Sequence, residues 1–104
     1  MIKRVKIDGK DYPFVMSMAT VENYLYTRNV PLTDVGELFT NLSTKDVPDL
    51  ILEGFKVGAM LENTECNLTV NDLLKANAKG ELSLMNMVED LGAAAEEGEQ
   101  EAGK

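Results

Sequence analysis

Residues 47–61 have the sequence VPDLILEGFKVGAML. On a helical wheel at about 100° per residue, apolar side chains cover more than half of the circumference; they are Val47, Leu50, Ile51, Leu52, Phe55, Val57 and Leu61. Asp49, Glu53 and Lys56 form a narrow polar stripe, and Met60 projects toward that stripe. We therefore predict that residues 47–61 form the central, most buried helix of the fold, with Met60 exposed.

Two glycines, Gly54 and Gly58, lie near the middle of the apolar face of this helix. Each glycine costs about 1 kcal/mol relative to alanine in a helix interior, so this placement calls for a reason. Close approach of another backbone is one reason, either inside the fold or between protomers. The alternative is that a well-supported helix tolerates both. Gly54 and Gly58 are accordingly candidates for close packing or self-association.

Residues 2–15 have the pattern of a β-hairpin. Val5 and Ile7 alternate with polar residues, and Asp8-Gly9 is a strong signal for a two-residue turn. Pro13 cannot donate a hydrogen bond to a neighbouring strand, so its strand is expected at an edge or with that side outward. A lone two-stranded hairpin is marginally stable, so this one must pack on helices.

The rest of the chain has helical patterns. The clearest helices have recognisable end signals. These are the N-cap residue Ser17, the capping box formed by Thr69 and Asp72, and the helix terminator Gly80. The expected helices cover about residues 18–28, 34–40, 47–61, 70–79 and 81–95. We predict a mainly α single domain over residues 1–95, with the N-terminal β-hairpin packed on a small bundle of about four to five helices. Residues 96–104 contain no apolar anchor and are predicted to form a disordered acidic tail.

The predicted helix over residues 81–95 carries a wide apolar face. Six of its residues cover an arc of roughly 140°; they are Leu84, Met87, Val88, Leu91, Gly92 and Ala95. Four of them are candidates for binding a partner; they are Leu84, Met87, Val88 and Leu91. Methionines suit a surface that must adapt to a partner of variable sequence. The alternative is that the same face closes the core.

Charge and composition exclude several classes of function. The 104 residues include 10 basic and 18 acidic side chains, one cysteine and no histidine, for a formal net charge of −8. The excess negative charge lies in residues 61–104, so neither nucleic acid nor an anionic membrane is an expected partner. No apolar run approaches the ~20 residues of a membrane span. A single thiol that cannot pair internally suggests a reducing, cytosolic location.

Catalytic and metal-binding patterns are not found. No serine has a histidine to activate it, and no phosphate-binding glycine loop or calcium loop occurs. Cys66 has no neighbouring cation in the sequence and is expected to be a packing residue. We therefore expect a non-enzymatic protein with no cofactor and no metal.

The order of these features resembles the tail assembly chaperones of long-tailed bacteriophages and prophages. The resemblance rests on four segments spread over about residues 2–78; they are Val5-Lys6-Ile7-Asp8-Gly9-Lys10-Asp11-Tyr12-Pro13-Phe14, Met18-Ala19, Asn41-Leu42-Ser43 before the helix with Gly54 and Gly58, and Leu68-Thr69-Val70-Asn71-Asp72-Leu73-Leu74. It implies a protein that binds the tape measure protein, keeps it soluble and helps recruit tail tube protein. It also implies homo-oligomers, action in the host bacterial cytoplasm, and absence from the mature virion.

Two other functions are compatible with the sequence. One is a structural component of the virion, in the tail or between head and tail. The other is an acidic inhibitor that mimics DNA, which would need carboxylates fixed on a folded surface. Much of the excess charge here lies in the segment predicted to be disordered, and this argues against a DNA mimic.

Overall fold

The computed structural model describes residues 2–28, 39 and 42–102, with side chains described up to residue 94. In that part of the chain a two-stranded sheet is followed by four α-helices. The predicted fold class, mainly α with an N-terminal hairpin on a helical bundle, is confirmed. The predicted helix over residues 34–40 lies outside the described residues except for Phe39.

The hairpin consists of β1 (Ile2–Ile7) and β2 (Lys10–Val15), paired antiparallel. The turn residues Asp8 and Gly9 have φ values of 51° and 82°, as a type I′ turn requires. Pro13 pairs with Arg4 at a position between hydrogen-bonded pairs. No hydrogen bond between the strands is therefore lost because Pro13 has no N–H. The predicted hairpin and the outward orientation of Pro13 are confirmed.

Helices α1 (Met18–Thr27) and α2 (Val47–Leu61) match their predicted positions. Ser17 caps α1, its hydroxyl accepting a hydrogen bond from the Ala19 N–H at 3.3 Å. The Thr20 hydroxyl donates to the Val15 carbonyl at 2.6 Å, which fixes α1 to the end of the hairpin. Pro48 lies in the first turn of α2, where its missing N–H has no intrahelical partner to lose.

Helix α3 (Val70–Lys79) begins with the predicted capping box. The Thr69 hydroxyl accepts from the Asp72 N–H at 3.2 Å, and the Asp72 carboxylate accepts from the Thr69 N–H at 2.9 Å. Gly80 ends the helix with φ of 80°, a left-handed conformation that glycine adopts without strain.

Helix α4 (Leu84–Ala102) differs from the prediction at both ends. It begins at Leu84 rather than Glu81, because Ser83 caps it and accepts a hydrogen bond from the Asn86 N–H at 3.3 Å. It continues through residues 96–102, which the sequence analysis assigned to a disordered tail. Alanine, glutamate and glutamine have high helix propensity, which accounts for a helical backbone even in a segment without apolar anchors.

Helix α2 is the centre of the fold, as predicted. It packs on β2, α1, α3 and α4. One cluster of buried side chains joins it to the hairpin, α3 and α4; its largest members are Phe14, Phe55, Ile51 and Leu73. A second cluster joins it to α1 and α4; its members are Val21, Tyr24, Leu25, Leu50 and Leu91. The hairpin therefore lies on one side of α2, and α1 lies on another.

Candidate functional site

The two glycines of α2 contact the chain's own hairpin. A Cβ atom on Gly58 would lie 2.7 Å from the carbonyl carbon of Pro13, and a Cβ atom on Gly54 would lie 2.6 Å from Cζ of Phe14. Close approach of another backbone, one of the two explanations open for both residues, is thus found at Gly58, whereas Gly54 accommodates an aromatic ring. Packing inside the fold accounts for both glycines.

The four candidate binding residues of α4 face the interior. Leu84 and Met87 are buried in the cluster with Phe14 and Phe55, and Leu91 is buried in the cluster with α1. Val88 is half-buried against the first cluster. The sequence left two alternatives for this face of α4, partner binding and closure of the core. The burial of these side chains shows that the face closes the core, so it is not an open surface for a partner.

An open apolar surface is found instead in a groove between α1 and α2. The groove has a volume of about 430 Å³. Its lining residues are Ala19, Glu22, Asn23 and Tyr26 from α1 and Val57, Met60 and Leu61 from α2. We call this surface the α1/α2 groove.

Three large apolar side chains of the α1/α2 groove are exposed to solvent. The exposed fractions are 81% for Tyr26, 62% for Met60 and 58% for Leu61. Val57 is buried and forms the floor. Single exposed apolar residues are ordinary, but several that line one groove mark a candidate interaction site. The predicted exposure of Met60 is confirmed.

The two walls of the groove are held together by polar contacts. The Asn23 side-chain amide donates to the Glu53 carboxylate at 2.6 Å, and Lys56 lies 3.7 Å from the other oxygen of that carboxylate. Arg28, just after α1, lies 3.3 Å from the Asp49 carboxylate. Glu53 was predicted on the exposed polar stripe of α2 but is buried, because α1 covers that side of the helix.

Tyr24 stabilises the same contact between helices. Its ring is buried, and the Arg28 guanidinium lies 4.0 Å from the ring centroid. Burial raises the pKa of the Tyr24 hydroxyl, while the positive charge of Arg28 acts in the opposite direction. The groove is therefore formed by two helices that are packed and hydrogen-bonded to each other, and not by a loop.

No sequence pattern marks this groove. On α1 its residues follow the helical spacing i, i+3, i+4, i+7, but they mix alanine, glutamate, asparagine and tyrosine, so no hydrophobic periodicity marks the face. On α2, Leu61 was assigned to the apolar face expected to be buried. The groove residues of α1 and those of α2 form one surface only because the two helices pack side by side.

The described residues contain no cluster of three or more His, Cys, Asp or Glu side chains that could hold a metal ion. Cys66 is half-buried against the cluster around Phe55, as expected of a packing residue. None of the helices in the described part of the chain is both long and apolar enough to span a membrane.

Comparisons of the chain with protein-family models, with curated proteins and with solved structures found no match.

Proposed function

We propose that this chain is a non-enzymatic tail assembly chaperone of a long-tailed phage or prophage, which binds the tape measure protein, keeps it soluble and helps recruit tail tube protein. The proposal starts from the resemblance in the order of hairpin, caps and glycine-containing helix. It places the protein's action in the host cytoplasm, as a homo-oligomer that does not enter the mature virion.

The α1/α2 groove is the observation that carries the proposal. A chaperone of this kind must offer apolar surface to a partner while it remains folded itself. Tyr26, Met60 and Leu61 are accessible without any change in the core, because Val57 closes the floor beneath them. The groove therefore replaces the apolar face of α4 as the proposed binding surface.

We expect the substitution Met60→Glu to abolish binding of the tape measure protein without unfolding the chain. Met60 is exposed, so a charge there should change the free energy of unfolding by no more than about 0.5 kcal/mol. A charge in the centre of an apolar contact should cost about 2 kcal/mol of binding, or roughly 30-fold in affinity. The measurement is pull-down and titration with fragments of the tape measure protein encoded in the same genome, with circular dichroism to check folding.

Met85→Glu is the matched control for this experiment. Met85 is also an exposed methionine in a helix, but it lies on α4 and does not line the groove. Its variant should bind like the wild type. Equal affinity of the Met60→Glu variant and the wild type would exclude the groove. If the wild type bound no fragment at all, the chaperone proposal would be wrong.

Purified virions distinguish a chaperone from a structural component. We expect mass spectrometry to detect this chain in lysates of infected or induced cells, together with the tape measure protein, but not in purified particles. A stoichiometric amount in the particles would instead show that the chain is part of the tail or of the connection between head and tail.

A further inference from the structure

The two walls of the α1/α2 groove are faces of helices. The α1 wall uses residues 19, 22, 23 and 26, and the α2 wall uses residues 57, 60 and 61, so each wall is one face of a helix. At 1.5 Å per residue the α1 wall extends for about 10 Å, or about two helical turns. An amphipathic helix laid between two such walls buries its apolar stripe along both.

The groove also carries one negative charge without an ion-pair partner in the described part of the chain. Glu22 is the only charged residue that lines it, and among the described residues Glu22 has no ion-pair partner. The neighbouring carboxylates are already paired, Glu53 with Lys56 and Asp49 with Arg28.

Asn23 adds a second hydrogen-bond acceptor beside Glu22. Its Nδ2 donates to the buried carboxylate of Glu53, and its Oδ1, which can accept, has no hydrogen-bond partner among the described residues. The charged group of the groove is therefore an acceptor, and a matching ligand must bring a cation to it, whereas the Tyr26 hydroxyl can donate or accept.

We infer that the α1/α2 groove takes an amphipathic helix of another protein whose apolar stripe is interrupted by a lysine or arginine that pairs with Glu22. This inference rests on the proposed function and specifies the segment that the chaperone recognises. A second copy of the chain fits less well. In a symmetric dimer the same patch would face itself, so that the Glu22 carboxylates of the two copies would share one apolar contact without a cation.

The test uses two synthetic amphipathic peptides of about four helical turns. They have the same leucine stripe and differ only at one central stripe position, which is lysine in one peptide and glutamate in the other. We expect the wild type to prefer the lysine peptide by about fivefold, as an exposed ion pair allows. Glu22→Gln should remove the preference, Glu22→Lys should reverse it, and added salt should weaken it.

Glu89→Lys is the control with the same change in net charge. Glu89 is exposed on α4, away from the groove, so this variant should keep the wild-type preference. Equal affinity of the wild type for both peptides, binding of neither, or a preference unaffected by Glu22→Lys would overturn the inference. A groove occupied by a second copy would also overturn it, and would appear in light scattering as a dimer that Met60→Glu dissociates.

The peptide experiment tests the inference, and the pull-down tests the proposed function, so a negative result in one does not imply a negative result in the other. Loss of the lysine preference, with tape measure fragments still bound through Met60, would overturn the inference and leave the proposed function in place. A clear lysine preference, with no binding to any tape measure fragment, would support the inference and reject the named partner.

Discussion

Gly58→Leu should lower the free energy of unfolding by about 3 kcal/mol or more, at the upper end for an overpacked interior site. A side chain at this position meets the backbone carbonyl of Pro13, which cannot rotate away as a flexible side chain could. Either β2 separates from α2 or the helix shifts, and both changes open the cluster around Phe14. Urea unfolding followed by circular dichroism measures the loss.

Two alanine variants provide the matched comparison. Gly58→Ala adds one methyl group at the same close contact and should destabilise the chain, whereas a Cβ atom on Gly92 of α4 lies at least 3.6 Å from its nearest neighbours on Phe39. Gly92→Ala should therefore keep or raise stability, since alanine favours helix by about 1 kcal/mol over glycine. A Gly58→Leu variant with wild-type stability but altered oligomer mass would place the close contact between protomers instead.

Leu91→Glu should lower the free energy of unfolding by a similar amount, about 4 kcal/mol. The Leu91 side chain has 0% exposure and packs among Val21, Leu25 and Leu50. A carboxylate there would be buried without a partner. Such burial raises the pKa of the carboxyl group in the folded state above its value in the unfolded state. The loss in free energy of unfolding, relative to the wild type, should therefore become smaller as the pH falls toward 4 and the group becomes neutral.

Met85→Glu, on the same helix but 57% exposed, is the control and should leave the melting temperature nearly unchanged. Thermal melts at pH 7 and pH 4 compare the two variants with the wild type. A Leu91→Glu variant that melts like the wild type and loses only partner binding would show that this face of α4 is a binding surface after all.

Local signals made much of the fold predictable. The Asp8-Gly9 turn, the Ser17 cap and the box of Thr69 with Asp72 each act within a few residues, and each is found where the sequence placed it. Gly58 was predictable as a site of close approach because its cost in a helix interior needs compensation. That compensation comes from Pro13, far away in the sequence, and so its partner was not predictable.

The groove was harder to predict because it depends on how two helices pack. Met60 follows from the wheel of α2 alone, but Tyr26 and Glu22 become part of one surface only when α1 lies beside α2. Glu53 shows the same limit. Its position next to Lys56 suggested a solvated stripe, whereas the packed α1 buries it and supplies Asn23 as a donor.

The contact of Pro13 with Gly58 has a consequence for the order of events during synthesis. Domains commonly begin to fold from the N-terminus while the chain is still being made, but a hairpin without a packing surface is marginal in water. Here that surface is α2, so the hairpin residues leave the ribosome well before their support does. Until residue 61 has emerged, the nascent N-terminal strands should remain open to proteases and to chaperones. Arrival of α2 then protects both strands in one step.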